Sequence, residues 1–288
     1  MQLVSMKEIL TDAFTNKYAV GQFNINNLEW VKSILKVAQE NRSPAILGIS
    51  GGTVSHMAGC KTIHDVVIGV GNYQKTDVPI VLHLDHGKTK QACIDAIDAG
   101  FSSVMFDGSH LPFEDNLKIT KEIVEYAKRY NVSVEAELGT IAGSEDGIVN
   151  SKVIYADLTQ CMIMAKETGI DCLAAALGST HGLYKGKAKL GFKEMEIISK
   201  AINIPLVLHG GTGISDEDML KAIELGTAKI NVNTEFMYAW CQEIEHMVKA
   251  PDCQHDINDP RKVITQGLIP VEKLIARRMH LFGSINRY

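Results

Sequence analysis

The sequence predicts an α/β protein with a (β/α)₈ TIM-barrel fold, in one domain spanning residues 1–288, with an N-terminal capping helix and a C-terminal arm plus helix. Eight short runs rich in β-branched residues alternate with amphipathic segments. Most of these runs are apolar throughout, as is typical of parallel strands covered on both faces. The length of 288 residues also fits, because α/β barrels often form one domain of about 250 residues.

The predicted strands follow a short helix at about residues 5–16, which we expect to close the bottom of the barrel. The alternative fold is an open doubly wound sheet. The count of eight strands and the lack of a G-x-G-x-x-G motif after the first strand both disfavour it. The predicted strands are 18–24, 44–50, 78–84, 102–107, 132–138, 171–177, 205–209 and 228–233.

The segments between the strands have the periodicity and the end signals of helices. Residues 27–40 place their apolar side chains on one helical face, and residues 114–130 repeat that spacing. Asp157 with Gln160 resembles a capping box, and Ser215 gives a weaker signal of the same kind. Glycines follow helical segments where a left-handed residue is favoured, at Gly100, Gly169 and Gly226.

The C-terminal part of the chain is predicted to be less regular. Residues 250–270 contain three prolines and few periodic apolar positions, so we expect an irregular arm there. A last helix is predicted over about residues 270–282.

Composition excludes several classes of protein. The net charge of -5 disfavours a general nucleic-acid-binding surface, and no apolar run approaches the length of a membrane span. Lys7 and Glu8 interrupt the first residues before an apolar stretch, which disfavours a secretory signal. The six cysteines form no C-x-x-C pair, so we expect small buried or half-buried thiols in a cytoplasmic protein.

The carboxyl ends of the predicted strands are unusually polar. In a barrel these ends carry the catalytic side chains. The polar residues there are Asn24, Asn26, Ser50, Asp85, His86, Asp107, Glu135, Glu137, His181, His209, Asn231, Asn233 and Thr234.

Three histidines, His86, His181 and His209, follow predicted strands three, six and seven. Three neutral imidazoles with an open fourth position form a catalytic zinc site. Each histidine alone would be an ordinary strand-end residue, but their joint placement predicts metal ligands. His83 lies within a strand and is predicted to be a hydrogen-bonded barrel residue, and His110 near the mouth is a further candidate.

Asp85 directly precedes His86. Beside a divalent metal its carboxylate should stay ionised, which suits a base that acts on a substrate hydroxyl. The alternative role is to orient a ligating imidazole.

The segment HGGTG at residues 209–213 runs from a predicted strand toward a helix. Its glycines let backbone N–H groups approach an anion, and the helix N-terminus adds partial positive charge. Barrels usually bind phosphate at the loops after their last two strands. The alternative is a plain tight turn. Residues 139–147 are polar and rich in glycine, so they read either as a mobile loop over the mouth or as a solvated surface loop.

Several motifs occur together in one order: YAVGQFNINN, VLHLDHG, SVMFDGSH, VEAELGT, ALGSTHG, PLVLHGGTG and KINVNTE. In this combination the chain closely resembles the class II, metal-dependent ketose-bisphosphate aldolases over nearly its whole length. The likeness is greatest to the short fructose-1,6-bisphosphate aldolases of Gram-positive bacteria and mollicutes. The resemblance implies reversible cleavage of fructose 1,6-bisphosphate to dihydroxyacetone phosphate and glyceraldehyde 3-phosphate, through a zinc-stabilised enediolate.

The resemblance also implies residue roles. Asp85 would take the proton of the C4 hydroxyl, Glu145 would move the proton at the carbon beside the carbonyl, and Asn231 would hydrogen-bond to the enediolate. A homodimer or a dimer-based oligomer is implied, in which Arg261 would reach the other subunit's substrate, and a monovalent cation (Na⁺ or K⁺) would lie near the phosphate. Zinc would be bound by His86, His181 and His209, with Asp107 and Glu137 lining an alternative metal position. The expected substrate- and phosphate-binding residues are Asn24, Ser50, Gly182, Lys185, Gly210, Gly211, Thr212, Asn231, Asn233, Thr234 and Arg261.

Some positions depart from the commonest family pattern. Glycines at 51–52 stand where many relatives have an acidic residue, and Leu183 replaces a frequent proline. Residues 174–176 and 237–240 resemble relatives that act on other phosphosugars, including 2-deoxy-5-keto-gluconate 6-phosphate. Asn233 favours fructose bisphosphate over tagatose bisphosphate. The sugar therefore stays open among these three.

Two other hypotheses use different chemistry. A Schiff-base aldolase needs a lysine at an inner strand end, but Lys229 is predicted at the opposite end of its strand. A metal- and phosphate-binding scaffold without activity is disfavoured by the presence of Asp85 and Glu145.

Overall fold

Eight parallel strands close into a barrel in the computed structural model, which describes residues 1–145, 148–150, 153–182, 184, 186–250 and 258–288. The predicted TIM barrel is confirmed. The barrel strands are β1 (Val20–Asn24), β2 (Ala45–Ile49), β3 (Ile80–Gly87), β4 (Ser103–Phe106), β5 (Ser133–Leu138), β8 (Cys172–Ala175), β10 (Leu206–Leu208) and β11 (Thr227–Val232). They pair in chain order, and β11 pairs with β1 to close the ring. The remaining strands, β6 (Ala142–Glu145), β7 (Ile148–Asn150) and β9 (Thr180–His181), form a separate sheet.

Helices connect most of the strands, and two of their predicted N-caps are confirmed. Asp157 accepts a hydrogen bond from the Gln160 backbone N–H at 3.0 Å, and Ser215 accepts one from Asp218 at 3.2 Å. The helices are α1 (Met6–Asn16), α2 (Leu28–Glu40), α3 (Gly51–His56), α4 (Cys60–Gln74), α5 (Lys90–Asp98), α6 (Phe113–Ala127), α7 (Leu158–Thr168), α8 (Phe192–Ile202), α9 (Asp216–Glu224), α10 (Thr234–Lys249) and α11 (Pro260–Phe282).

Helix α1 closes the bottom of the barrel, as expected from the sequence. Met6, Ile9 and Leu10 are fully or almost fully buried. They pack in one cluster with inward-facing strand residues such as Val20 and Val81. The opposite end of the barrel is therefore the end that is open to a ligand.

Strand β3 extends beyond its predicted end and contains Asp85 and His86. Its register against β4 shifts between Leu84 and Gly87, and His86 has a positive φ of 50°. A bulge of this kind re-aims side chains next to an active site. The sequence did not reveal it because the bulge depends on pairing with β4.

Part of the predicted loop at residues 139–147 forms strand β6 (Ala142–Glu145), and residues 146–147 lie outside the described residues. Strand β6 pairs antiparallel with β7 and parallel with β9. Gly143 pairs with His181, and a Cβ at Gly143 would lie 2.1 Å from the His181 carbonyl oxygen. The glycine is needed for this close approach, which ties the segment to a predicted metal ligand.

The prediction of an irregular arm is wrong for residues 260–270, which are helical; residues 251–257 lie outside the described part of the chain. Asp259 caps α11 by accepting from the Arg261 N–H at 3.0 Å. Pro260 occupies the first turn, where a missing N–H costs nothing. Pro270 lies inside the helix, beside the buried Leu268. Burial of the apolar face against α10 and α2 thus overrides the local proline signal.

The expected buried or half-buried thiols are confirmed at four positions, of which Cys60 is partly buried. Cys93, Cys161 and Cys172 are fully buried, and burial raises the pKa of both Cys93 and Cys161 to about 12. Cys241 is exposed, contrary to the expectation, and Cys253 lies outside the described residues. Within the described ranges, no helix is long and apolar enough to cross a membrane.

Candidate active site

A cavity of about 430 Å³ opens at the carboxyl ends of the barrel strands. Its walls come from the ends of β1, β10 and β11 and from the first turns of α3 and α10. The structure thus brings together most of the residues that were predicted to bind substrate. Those lining it are Asn24, Ser50, Gly182, Gly210, Gly211, Thr212, Asn231, Asn233 and Thr234.

Three imidazoles converge at the base of this cavity. The ring centroids of His86 and His209 are 4.7 Å apart, and His181 lies 5.2 Å and 5.9 Å from them. His209 Nδ1 and His86 Nε2 are 3.0 Å apart. One ring nitrogen from each histidine lies within 4.8 Å of the others, which is close enough for a single ion to contact all three.

The donor set fits a divalent metal. Burial lowers the pKa of His209 below its ordinary value, so this imidazole is neutral near pH 7 and keeps a lone pair for a ligand. Three neutral imidazoles that leave one position open are the ligands of a catalytic zinc ion. The residues predicted as metal ligands are therefore brought together in the arrangement that such an ion requires.

Asp85 is held at the wall of the site by three amides. Its side chain is almost fully buried. Gln22 donates to Oδ2 at 2.7 Å, Asn24 donates to the same oxygen at 3.3 Å, and Asn231 donates to Oδ1 at 3.3 Å. These contacts fix the carboxylate and make it a hydrogen-bond acceptor of defined direction.

Gln22 was missed by the sequence analysis. It is a fully buried polar side chain in a strand that otherwise reads as apolar. It precedes Asn24 by two residues, so the two side chains point to the same face of β1. This shared face with Asn24 is the feature of the sequence that could have identified Gln22 as a site residue.

A second group of possible metal ligands lies beside the histidine triad and includes one of its members, His86. His86 Nδ1 lies 2.9 Å from Asp107 Oδ2 and 3.7 Å from Glu137 Oε2. The predicted alternative metal position is thus assembled from His86, Asp107 and Glu137. Lys88, which was not predicted, donates to Asp107. Burial alone would raise the pKa of Asp107, but His86 and Lys88 outweigh it and hold that pKa below its usual range.

The glycine turn after β10 is shaped by a left-handed glycine and by contacts with neighbouring elements. Gly210 has a positive φ of 68°, and a Cβ there would lie 2.2 Å from the Thr180 carbonyl oxygen. The Gly211 N–H donates to the Asn231 carbonyl at 2.9 Å. Thr212 Oγ1 accepts from a backbone N–H of α10 at 3.3 Å. These contacts hold the turn against the start of α10.

Three further predicted site residues are Glu145, Lys185 and Arg261. Glu145 is the last residue of β6, of which only the backbone is described, and Lys185 lies outside the described residues. Arg261 lies in the first turn of α11, where its side chain is 87% exposed and pairs with Asp259 at 2.9 Å. Arg261 is not among the residues that line the cavity.

The sequence analysis misjudged two other histidines. His56 in α3 lines the cavity, although the sequence gave it no partner. The candidate His110 is exposed and joins neither potential metal group among the described residues.

Comparison with known proteins agrees with this geometry. The family model for "Fructose-bisphosphate aldolase class-II" matches residues 4–287. The chain belongs to the class II fructose-bisphosphate aldolase family. Members of this family are metal-dependent lyases that act on phosphorylated sugars.

Relatives within the class II family carry two different names. The chain is 53% identical to a fructose-bisphosphate aldolase of Geobacillus stearothermophilus, with 99% of this chain and 98% of that protein aligned. It is 51% identical to a 6-phospho-5-dehydro-2-deoxy-D-gluconate aldolase of Bacillus subtilis (strain 168), with 100% and 98% aligned. Among solved structures, the YdjI aldolase of Escherichia coli K12 superposes with a TM-score of 0.84 at 31% identity, covering 99% of both chains.

Proposed function

We propose that this protein is a zinc-dependent fructose-1,6-bisphosphate aldolase of glycolysis and gluconeogenesis, acting in the cytoplasm as a homodimer. It would cleave its substrate to dihydroxyacetone phosphate and glyceraldehyde 3-phosphate. The observation that carries the proposal is the position of Asp85, fixed by three amides and next in the chain to a member of the histidine triad. A base and a metal site side by side are what a metal-assisted aldol cleavage needs.

His86, His181 and His209 would hold the zinc ion. When bound, zinc supplies a Lewis acid that polarises the substrate carbonyl and spreads the negative charge of the enediolate left by cleavage. The neutral form of His209 suits this role, because a protonated imidazole has no lone pair to offer.

Asp85 accepts the proton of the C4 hydroxyl as the C3–C4 bond breaks. The amides of Gln22, Asn24 and Asn231 hold its carboxylate toward the substrate, so little reorganisation is needed during the reaction. Asn231 also lines the cavity, where its amide hydrogen-bonds to the enediolate. Glu145 then returns a proton to the enediolate carbon.

The glycine turn holds the phosphate of the three-carbon fragment. Gly210, Gly211 and Thr212 line the cavity beside Asn233 and Thr234 at the start of α10. Backbone N–H groups and a helix N-terminus form an anion site at such a junction. A monovalent cation, Na⁺ or K⁺, would bind near the same phosphate and balance its charge.

The second candidate substrate is 6-phospho-5-dehydro-2-deoxy-D-gluconate, the intermediate of inositol breakdown. The observation that favours it is the full-length relative with that name at 51% identity, nearly equal to the 53% of the relative named for fructose bisphosphate. Tagatose 1,6-bisphosphate is a third candidate, because it shares the reacting atoms of fructose bisphosphate.

A substrate panel tests the proposal. We expect zinc-reconstituted protein to show the largest kcat/KM for fructose 1,6-bisphosphate, with tagatose bisphosphate and the deoxy-gluconate phosphate as comparisons. A larger kcat/KM for the gluconate compound would assign the protein to the second candidate. No cleavage of any of the three would refute the aldolase assignment for this chain.

A further inference from the structure

A buried charged pair lies inside the barrel directly beneath the histidine triad. Glu135 and Lys229 are both fully buried, and Lys229 Nζ lies 2.7 Å from Glu135 Oε2. The sequence analysis placed Glu135 at the mouth and Lys229 at the far end of its strand. In the structure they face each other across the barrel interior, on β5 and β11.

The other oxygen of Glu135 contacts the triad. Glu135 Oε1 lies 2.8 Å from Nε2 of His209, while His209 Nδ1 faces His86 Nε2 at 3.0 Å. An ionised carboxylate only accepts hydrogen bonds. His209 must therefore carry its proton on Nε2, which leaves the lone pair on Nδ1 directed at the other imidazoles.

Lys229 stabilises the buried carboxylate of Glu135, because an isolated carboxylate in an apolar interior is strongly disfavoured. The remaining neighbours of Glu135 are uncharged. His83 Nε2 lies 3.6 Å from Oε2, and burial and the nearby Lys229 lower the pKa of His83 to about 3, so it is neutral. Cys172 Sγ lies 3.7 Å from the same oxygen.

We propose that Glu135, with its charge balanced by Lys229, is a positioning residue that fixes His209 in its Nε2–H tautomer and directs Nδ1 at the catalytic metal. The inference rests on the proposed function in that the triad is taken as the metal site. Carboxylates that orient a ligating histidine typically contribute about 10- to 100-fold to metal affinity or activity.

The variant that tests this role removes both charges together. Glu135→Gln alone would leave Lys229 buried without its counter-charge, so its effect would mix folding with metal binding. The double variant Glu135→Met/Lys229→Met avoids that, and it leaves at position 135 no oxygen that could accept the hydrogen bond from His209 Nε2. The matched control is Cys172→Ala, which changes the same buried cluster but leaves the contact between Glu135 and His209 in place.

Zinc affinity is measured by competition with a chromophoric chelator, and ligand geometry by the visible spectrum of the cobalt-substituted protein. We expect the double variant to bind zinc about 10- to 100-fold more weakly and to show a shifted cobalt spectrum, with the control unchanged. Wild-type affinity and an unchanged spectrum in the double variant would overturn the proposal. An equal loss in Cys172→Ala would also overturn it, because the effect would then reflect core disruption.

A measurement on the wild-type protein keeps the test independent of how the variants fold. Nitrogen-15 NMR of histidine-labelled protein, with the His209 signal assigned by its loss in His209→Asn, reports the tautomer directly. We expect the Nε2–H form with and without zinc, and the Nδ1–H form would overturn the inference. Failure of the proposed function has another signature: wild-type protein that binds no zinc and cleaves no sugar.

Discussion

At the scale of single residues, the chemistry depends on what holds Asp85. This carboxylate is almost fully buried and accepts hydrogen bonds from three neutral amides, which keep it in one orientation. It can therefore take a proton from a substrate hydroxyl. In the proposed mechanism the two tasks are separate, because the imidazoles of the neighbouring histidine triad bind the metal and Asp85 moves the proton.

Asp85→Asn is expected to lower kcat/KM for the cleaved sugar by about 100- to 10,000-fold, the usual contribution of a positioned base. The amide keeps the shape of the carboxylate but has no strong basicity. Steady-state kinetics measure the loss. Zinc content, measured in parallel by atomic absorption, should stay at the wild-type level, and activity within a few-fold of wild type would exclude Asp85 as the base.

Much of the site could be predicted from single residues. The roles of the remaining residues could not be predicted, and the reason is the same for each of them. Barrel enzymes carry their catalytic residues at the strand ends, and this rule identified His86, His181 and His209. Gln22, Glu135 and Lys229 lie inside or deep in their strands, each two residues before a site residue. Alternation places each pair on one face, but the apolar runs did not show which face points into the barrel.

At the scale of elements, the glycine turn after β10 connects the metal site to the phosphate site. Gly210 follows His209, and its backbone lies against the Thr180 carbonyl, next to His181. The turn and the small sheet therefore support each other. A side chain at Gly210 would push these two segments apart, and so displace both the ligands and the phosphate-binding backbone.

Gly210→Ala is expected to destabilise the metal-free protein more than Gly182→Ala. Both glycines have positive φ, which costs an alanine about 1–2 kcal/mol. Only Gly210 would add an overlap, because a Cβ at Gly182 meets nothing within 4 Å. Thermal unfolding of the two variants measures the difference, and equal melting temperatures would contradict the predicted overlap.

The elements that the sequence mispredicted are those formed by tertiary contacts. Strands β6 and β9 have only 4 and 2 residues, too few for a periodic pattern, and they exist through their pairing with each other. Helix α11 runs through Pro270 because its buried face packs on α10 and α2. In contrast, α1 and α2 have strong apolar periodicity, and their predicted bounds are within one residue of the observed ones.

At the scale of the whole molecule, a net charge of -5 means that attraction for a doubly phosphorylated sugar has to be local. In the proposed function, the metal, the backbone N–H groups of the glycine turn and single basic side chains would supply it. Arg261 is one such side chain, exposed at the start of α11. In the proposed homodimer it would contact the substrate of the other subunit.

Arg261→Ala is expected to raise KM for the sugar phosphate with a smaller effect on kcat, because this contact is remote from the reacting atoms. A heterodimer of Arg261→Ala and Asp85→Asn chains, isolated with two affinity tags, tests whether the site is shared. One of its two sites would be intact, so about half of the wild-type kcat/KM is expected. A heterodimer whose kcat/KM is no higher than that of the Arg261→Ala homodimer would show that Arg261 does not act across an interface.

The central claim is that His86, His181 and His209 bind a metal on which the aldol cleavage depends. The most direct measurement is the cleavage rate of protein stripped with EDTA and then titrated with zinc. The account predicts that stripped protein loses cleavage activity, and that activity returns to its plateau at one zinc ion per chain. Full turnover in demonstrably metal-free protein, or no recovery on adding zinc, would contradict it.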